Sequence, residues 1–347
     1  MNATLKTGNS PDISFCVPVY NVENFLSDCI NSIIAQETSA FTYEIVCVED
    51  KSTDGTAEVL KELAKKHPQI RVFDNSENRG VSYTRNRAVK NATGKYIWFV
   101  DPDDMLYPHT VEKMFIEAEK HNTQVILGNY INCDETAKLQ DFTDKYDPSF
   151  SVINTDGNNF LPFDDTGKRM CACVCGMFRR DFLLLHNLAF QEKMIAQEDT
   201  LFYYEFSLKT DSIIKYNAPC YIYRQRATSV MHSKSAERSK RYYESMRIMH
   251  RVYSEHLRTG DYKDKAVLLH KLHHMQQNIT VCLALVPDSS YVKQELKDLK
   301  KQKIYPYKFR KDALKSKESF LRRTLFYLQP LEPFFWLLHL SGKIKNK

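Results

Sequence analysis

The first third of the chain alternates between short apolar runs and segments whose apolar residues recur at helical spacing. Runs rich in β-branched and aromatic residues predict buried strands, and the 3.6-residue period of the intervening segments predicts helices. The predicted strands are residues 13–19, 43–48, 70–73, 96–100 and 125–130. A strand–helix alternation of this kind favours a Rossmann-like α/β fold, with a mostly parallel sheet flanked by helices.

The pattern is less regular beyond residue 137. Residues 138–167 are polar and turn-rich, and we expect a surface excursion or flexible loop there. Strand-like and helical segments then follow, and from residue 235 onward the pattern is helical and basic. We therefore expect two domains, an α/β domain over residues 1–232 and a mostly helical C-terminal region over residues 233–347.

Composition narrows the class of protein. The 347 residues carry a formal net charge of +6 and the apolar and charged fractions of an ordinary globular protein. The nine cysteines do not resemble a disulfide scaffold, and a reducing cytosol fits them best. Zinc is disfavoured, because Cys171, Cys173 and Cys175 alternate instead of forming a tight pair with a second pair elsewhere. No standard nucleic-acid recognition motif is present, so we expect no nucleic-acid partner.

A knot of carboxylates follows the fourth predicted strand. Asp101, Asp103 and Asp104 come directly after a buried apolar run, and carboxylates this close repel one another. Hard divalent cations prefer oxygen ligands, commonly one or two carboxylates completed by substrate phosphates. The cluster therefore indicates a cation site at the carboxyl edge of the sheet, where such folds bind ligands. The alternative is an acidic turn that caps the next helix.

Six short motifs along the first 230 residues agree with this interpretation. They are VPVYN at 17–21, EDKSTDGT at 49–56, NRGVS at 78–82, TRN at 84–86, DPDD at 101–104 and QED at 197–199. In order and spacing they resemble a family 2 glycosyltransferase with a GT-A fold, similar to bacterial cell-envelope polysaccharide enzymes. Lys51 stands where that family often has glycine, and Pro102 where it often has a small residue.

The resemblance implies an inverting enzyme that moves a sugar from a UDP-sugar to an acceptor hydroxyl with Mn²⁺ or Mg²⁺ as cofactor. The acceptor would be a glycan or lipid-linked glycan of cell-envelope or extracellular polysaccharide synthesis. Asp103 would touch the metal, and Asp101 the ribose or a metal-bound water. The nucleoside and phosphates would contact Pro18, Val19, Tyr20, Glu49, Asp50 and Arg85. The alternative for Glu49 and Asp50 is a plain turn, and the alternative for Arg85 is a solvated arginine on a helix.

Asp199 matches the catalytic base of the family. A positioned carboxylate can take the proton from an acceptor hydroxyl, although an aspartate before an apolar helix also makes a good N-cap. The stretch that includes Arg224 and Arg226 resembles the end of the family's catalytic region, and either side chain could pair with diphosphate. His232 would be a metal ligand or phosphate donor, or else an ordinary surface histidine.

Residues 319–347 mix leucine and aromatic residues with lysine and arginine. This composition suits a membrane interface, and equally a helix packed on the protein or on a second copy of the chain in a homo-oligomer. No stretch approaches the ~18 apolar residues of a membrane span, so we expect a cytoplasmic protein, peripheral on the inner face of the membrane. A different hypothesis is a catalytically degenerate sugar-nucleotide-binding or scaffold protein at the membrane, against which Asp101, Asp103 and Asp199 together argue.

Overall fold

A computed structural model of the protein describes residues 10–144, 146, 149–154, 173–194, 196–226, 236–260, 265–286, 288–305 and 339. Contacts divide the chain into two compact units. The first unit comprises Met1–Glu192 with Glu198–Ala227, and the second comprises Lys193–Gln197 with Thr228–Lys347. The domain boundary expected after residue 232 falls outside the described residues and stays a prediction.

The first unit opens with the alternation that the hydrophobic pattern predicts. In chain order the elements are β1 (Ile13–Val19), α1 (Leu26–Ile34), β2 (Tyr43–Glu49), α2 (Thr56–Lys66), β3 (Ile70–Asp74), α3 (Val81–Asn91) and β4 (Tyr96–Phe99). β1 pairs in parallel with β2 and with β4, and β2 pairs in parallel with β3. The carboxyl ends of these strands therefore meet at one edge of the sheet, as expected from the sequence.

The rest of the unit gives the sheet a mixed character. Its elements are β5 (Met105–Leu106), α4 (Val111–His121), β6 (Val125–Cys133), β7 (Phe150–Asn154), β8 (Gly176–Arg179), α5 (Arg180–Leu185), α6 (Glu198–Ser207) and β9 (Ser212–Arg224). β8 runs antiparallel between β4 and β6, while β9 is parallel to β6 and antiparallel to β5 and β7. The α/β class is confirmed: the first four strands pair in parallel as expected, and antiparallel pairs enter the sheet with β5, β7 and β8.

The strand β7 corrects the expectation of a surface excursion over residues 138–167. It pairs with β9 along its whole length, and the ring centroids of Phe150 and Tyr216 lie 5.3 Å apart. Pairing of such a strand depends on a partner that lies far along the sequence, which local polarity does not reveal. Residues 155–172 lie outside the described part of the chain.

The end of α3 does not depend on a glycine. The helix ends at Asn91, and Ala92 already has extended backbone geometry. Gly94 instead allows a close approach to β1, because a Cβ there would lie 2.6 Å from the backbone nitrogen of Ser14.

An aromatic cluster joins β4, β8 and α6. The rings of Phe190 and Phe202 stack with centroids 4.4 Å apart, and Phe99 meets both in edge-on contacts. Phe178 of β8 packs edge-on against Phe202. Such aromatic pairs add to the free energy gained from burial, so they fix the start of α6 close behind the end of β4.

The second unit is helical, as expected for the C-terminal region. Its described helices are α7 (Ala236–Thr259), α8 (Lys265–Ala284) and α9 (Ser289–Lys301). The carboxylate of Asp288 caps α9 by accepting the amide hydrogens of Ser290 and Tyr291. Among the described residues, no helix combines the length and the apolarity that a membrane crossing requires.

Within residues 319–347 the structure describes His339 alone. Its side chain is buried in the second unit, where Nδ1 lies 3.0 Å from the Ala284 carbonyl oxygen and Nε2 lies 3.0 Å from the Ser289 hydroxyl. At this one position the chain packs against its own helices, while membrane contact by the remainder of the segment stays a prediction.

Candidate active site

The loops after β1 and β2 lie side by side at the carboxyl edge of the sheet. The backbone amide of Asp50 donates a hydrogen bond to the Val19 carbonyl over 2.8 Å. Pro18 and Val19 are buried in β1, whereas Tyr20 is 42% exposed. Of the three nucleoside contacts predicted here, Tyr20 is therefore the side chain that a ligand at this edge would meet.

Glu49 holds the loop that follows β2. Its carboxylate accepts hydrogen bonds from the amides of Lys51 and Ser52, at 2.9 and 2.6 Å. Lys51 has a φ of 65°, in the left-handed region that glycine adopts without steric cost. The loop thus keeps a glycine-like shape despite the lysine, and Glu49 is one reason that it does.

Asp50 links the loop after β2 to the loop between β3 and α3. Its buried carboxylate accepts hydrogen bonds from the Asn75 side chain at 2.6 Å and from the amides of Arg79 and Gly80, each at 2.8 Å. A carboxylate at the start of α3 is also stabilised by the helix dipole. A carboxylate has about four acceptor positions, so Glu49 and Asp50 each keep capacity to accept a further hydrogen bond. The nucleoside contacts predicted for these two residues stay predictions.

The acidic loop after β4 is braced by β9. The Asp101 amide donates to the Tyr221 hydroxyl at 3.0 Å, and the carboxylate of Asp104 accepts the Arg224 amide at 2.8 Å. Burial raises the pKa of Asp104 well above its usual value, and the charges of Asp103 and Asp101 add to the shift. Asp104 therefore ties the loop to the sheet instead of facing a ligand.

Arg85 bridges this loop to the start of α6. Its guanidinium lies 2.6 Å from Asp101 and 3.0 Å from Glu198, and only 5% of the side chain is exposed. It also lies over the Phe190 ring, 5.1 Å from the centroid. The contact with base or phosphates predicted for Arg85 remains a prediction, since the guanidinium here faces two carboxylates of the protein.

Asp103 has a different arginine partner. An oxygen of its carboxylate lies 2.7 Å from the guanidinium of Arg226, and both side chains are about one-fifth exposed. The Arg226 guanidinium also lies over the ring of Phe25, 5.2 Å from its centroid. Burial raises the pKa of Asp103, and Asp101 raises it further while Arg226 opposes the shift.

Arg224 is buried beneath this pair. Its guanidinium contacts the Asp28 carboxylate at 3.3 Å and the Glu135 carbonyl at 3.2 Å, with 1% of the side chain exposed. Together with the bond from its amide to Asp104, these contacts place Arg224 in the scaffold of the site. Its predicted contact with diphosphate stays a prediction.

Asp199 lies in the first turn of α6 and is half-buried. One of its carboxylate oxygens accepts the amide hydrogen of Thr200 at 2.7 Å. Burial raises the pKa of the neighbouring Glu198, Arg85 opposes the shift and Asp199 adds to it. Arg85 contacts both Glu198 and Asp101. The predicted base, Asp199, is therefore adjacent in sequence to a residue that Arg85 connects to the acidic loop.

Asp101 and Asp103 suit a divalent cation whose ligand shell is completed by substrate phosphates. No three histidine, cysteine, aspartate or glutamate side chains converge on a preformed cage among the described residues. Magnesium-type sites, however, commonly use one or two carboxylates and complete the shell with substrate phosphates. The two carboxylates at this edge suit that arrangement, and direct contact between Asp103 and a cation stays a prediction. His232 lies outside the described residues.

The sequence-based prediction assigns no role to several residues that contact the site residues in the structure. Glu198 enters it only as part of the QED motif, and Tyr221, Asp28 and Phe25 do not enter it at all. Glu198 carries a usable signal in its position next to the predicted base. The contact of Asp28 with Arg224 joins residues 196 positions apart, and no local pattern announces it.

The comparisons with known proteins bear on the family and the fold. Residues 14–184 match the family model described as Glycosyl transferase family 2. About half of the chain thus resembles the family 2 glycosyltransferases. Among solved structures it is similar to TarS of S. aureus in complex with UDP-GlcNAc, with a TM-score of 0.60 and 18% identity over 96% of this chain and 89% of that one. At this identity the likeness establishes the GT-A fold alone.

Curated relatives come from bacteria. The chain is 29% identical over 220 residues to the glycosyltransferase GlyA of Streptococcus pneumoniae, covering 63% of this chain and 31% of that protein. It is 36% identical over 117 residues to the poly(ribitol-phosphate) beta-glucosyltransferase of Bacillus spizizenii, covering 33% and 18%. It is 32% identical over 194 residues to the uncharacterized glycosyltransferase YibD of Escherichia coli, covering 55% and 53%. The chain thus spans about half or less of the length of these relatives.

Proposed function

We propose that the protein transfers a sugar from a UDP-sugar to an acceptor hydroxyl, with inversion at the anomeric carbon. The observation that carries the proposal is the bridge from Asp101 through Arg85 to Glu198, since it joins the predicted donor loop to the helix of the predicted base. The match of residues 14–184 to the model of glycosyl transferase family 2 supports the reaction class.

In this mechanism the acceptor oxygen forms a bond to the anomeric carbon while the bond from that carbon to the diphosphate breaks. Asp199 takes the proton that the acceptor hydroxyl loses, as general-base catalysis requires. Arg85 and the α6 dipole hold Glu198 and Asp199 in place. Mn²⁺ or Mg²⁺, held by Asp103 with help from Asp101, would offset the negative charge that develops on the departing nucleoside diphosphate.

The choice of UDP-sugar and envelope glycan rests on the similar proteins. TarS forms a complex with UDP-GlcNAc, and the Bacillus spizizenii relative is a poly(ribitol-phosphate) beta-glucosyltransferase. We therefore propose a hexose-type donor and a glycan or lipid-linked glycan acceptor of cell-envelope or extracellular polysaccharide. An acceptor of this kind would give peripheral membrane contact through residues 319–347 a purpose.

A screen of UDP-sugars tests the proposed activity. Purified full chain is incubated with Mn²⁺, a panel of nucleotide sugars and polysaccharide acceptor fractions, and released UDP is measured. One donor is expected to give UDP release that depends on Mn²⁺ and on intact Asp199. Binding of UDP without turnover of any donor would favour the degenerate binding protein instead.

A further inference from the structure

The two arginines at the end of β9 are held very differently. Arg224 is buried, with its guanidinium between Asp28 and a backbone carbonyl. Arg226, just beyond β9, has a side chain that is 18% exposed and forms an ion pair with Asp103. The Nε of each arginine has no hydrogen-bond acceptor among the described residues, and both guanidiniums lie over the ring of Phe25, so the two differ in burial and in their charged partner. In the part of the chain that the structure describes, Arg226 is therefore held chiefly by one carboxylate and the ring of Phe25.

The carboxylate that Arg226 contacts is the one proposed to hold the cation. The pair is short, at 2.7 Å, and charge-assisted bonds of this length are the stronger kind. A divalent cation that takes this carboxylate must therefore compete with a guanidinium. If Arg226 were displaced with nothing to replace Asp103, a partly buried positive charge would be left without a partner, and that is costly.

We propose that Arg226 is an exchangeable partner of Asp103, which it holds in the nucleotide-free protein and leaves for the diphosphate when cation and nucleotide bind. This inference rests on the proposed function. The exchange keeps both charges compensated, because the carboxylate passes to the cation and the guanidinium passes to the phosphates, for which arginine is well suited. Cation and nucleotide then bind cooperatively, and each raises the affinity for the other by the same factor.

The exchange predicts that one substitution changes the affinities for Mn²⁺ and for UDP in opposite directions. Arg226→Gln removes the competitor for Asp103, so the nucleotide-free protein should bind Mn²⁺ about tenfold more tightly. The same variant loses a phosphate partner, so UDP affinity in saturating Mn²⁺ should fall by about tenfold. A residue with a merely structural role would lower both affinities or neither.

Electron paramagnetic resonance of free Mn²⁺ measures the first affinity, and isothermal titration calorimetry with UDP measures the second, both on the full chain. Lys138→Gln is the matched control: Lys138 pairs with Asp28 at 2.9 Å, so its loss removes the same charge without touching Asp103. It should leave both affinities near wild type. Arg226→Lys keeps the charge without the planar fork, and should fall between wild type and the glutamine variant.

Weaker or unchanged Mn²⁺ binding by folded Arg226→Gln would overturn the exchange, and if that variant fails to fold, wild-type affinities in Arg226→Lys would overturn it equally. In either case wild-type protein that binds Mn²⁺ and UDP leaves the proposed function intact. Wild-type protein that binds neither ligand would contradict the proposed function and the exchange together.

Discussion

The two carboxylates that flank Pro102 have arginine partners of opposite character. Asp101 pairs with Arg85, which is almost fully buried and contacts a second carboxylate on α6. Asp103 pairs with Arg226, which is nearer to solvent and contacts Asp103 from just beyond β9. We infer that the two ion pairs have different roles. The Asp101–Arg85 pair holds the site together, and the Asp103–Arg226 pair exchanges partners when ligands bind.

The largest expected effect lies on the Arg85 side, at the proposed base. Asp199→Asn keeps the shape of the side chain but cannot take a proton, so transfer should fall by about 10²–10⁴-fold. UDP affinity in Mn²⁺ should stay within about twofold of wild type, because the substitution lies outside the donor loop. Rates of UDP release and calorimetric titrations check the two halves, and near-wild-type transfer would require a different base.

Asp103→Asn tests the other side. The amide keeps one oxygen but loses the charge that a hard cation requires, so Mn²⁺ affinity in the presence of UDP should fall by about 100-fold. Asp28→Asn is a matched control at the same net charge, because Asp28 pairs with Arg224 and is not a proposed ligand. Calorimetric affinities that are equal in the two variants would remove Asp103 from the cation site.

Stability should separate the two arginines. Arg85→Met leaves two largely buried carboxylates without a cation and should lower the free energy of unfolding by about 3 kcal/mol. Arg226→Met should cost less, about 1 kcal/mol, because it leaves one carboxylate without a cation instead of two and removes an arginine side chain that is 18% exposed. Urea unfolding followed by fluorescence of the buried Trp98, in a Trp336→Phe background, reports on the first unit. Equal losses in the two variants would contradict the different roles of the two ion pairs.

A separate effect concerns α6 and the dependence of stability on pH. Burial raises the pKa of Glu205 to about 7, against the opposing charge of Lys209. Since the folded state binds this proton more tightly than the unfolded state, the free energy of unfolding should fall as pH rises from about 4.5 to 7. Glu205 should contribute about 2 kcal/mol to this decline. Glu205→Gln should lack that contribution and keep the smaller decline that the raised pKa values of Asp103, Asp104 and Glu198 cause. A parallel pH profile for that variant would assign the decline to other groups.

Much of the first half of the fold is predictable from sequence because its information is local. The strands β1 to β4 are apolar runs that neighbouring helices separate, and parallel pairing follows from that alternation. The strand β7 escapes such a prediction because its partner β9 lies far along the chain. The antiparallel insertion of β8 between β4 and β6 likewise has no local signature.

The site divides in the same way. The motif residues Asp101, Asp103 and Asp199 can be picked from sequence, since short patterns at strand and helix ends carry them. Their partners cannot be, because the Arg85–Glu198 contact spans 113 positions and depends on how α6 packs behind β4. Sequence reasoning therefore finds the charges of the site but not the ion pairs that set their behaviour.

The most direct test of the account is a crystal structure of the full chain with Mn²⁺ and UDP bound. The account predicts an anomalous manganese signal beside Asp103, Arg226 turned from that carboxylate to the diphosphate, and Arg85 still between Asp101 and Glu198. A nucleotide bound elsewhere, with Asp103 still paired to Arg226 and no manganese at the end of β4, would contradict it.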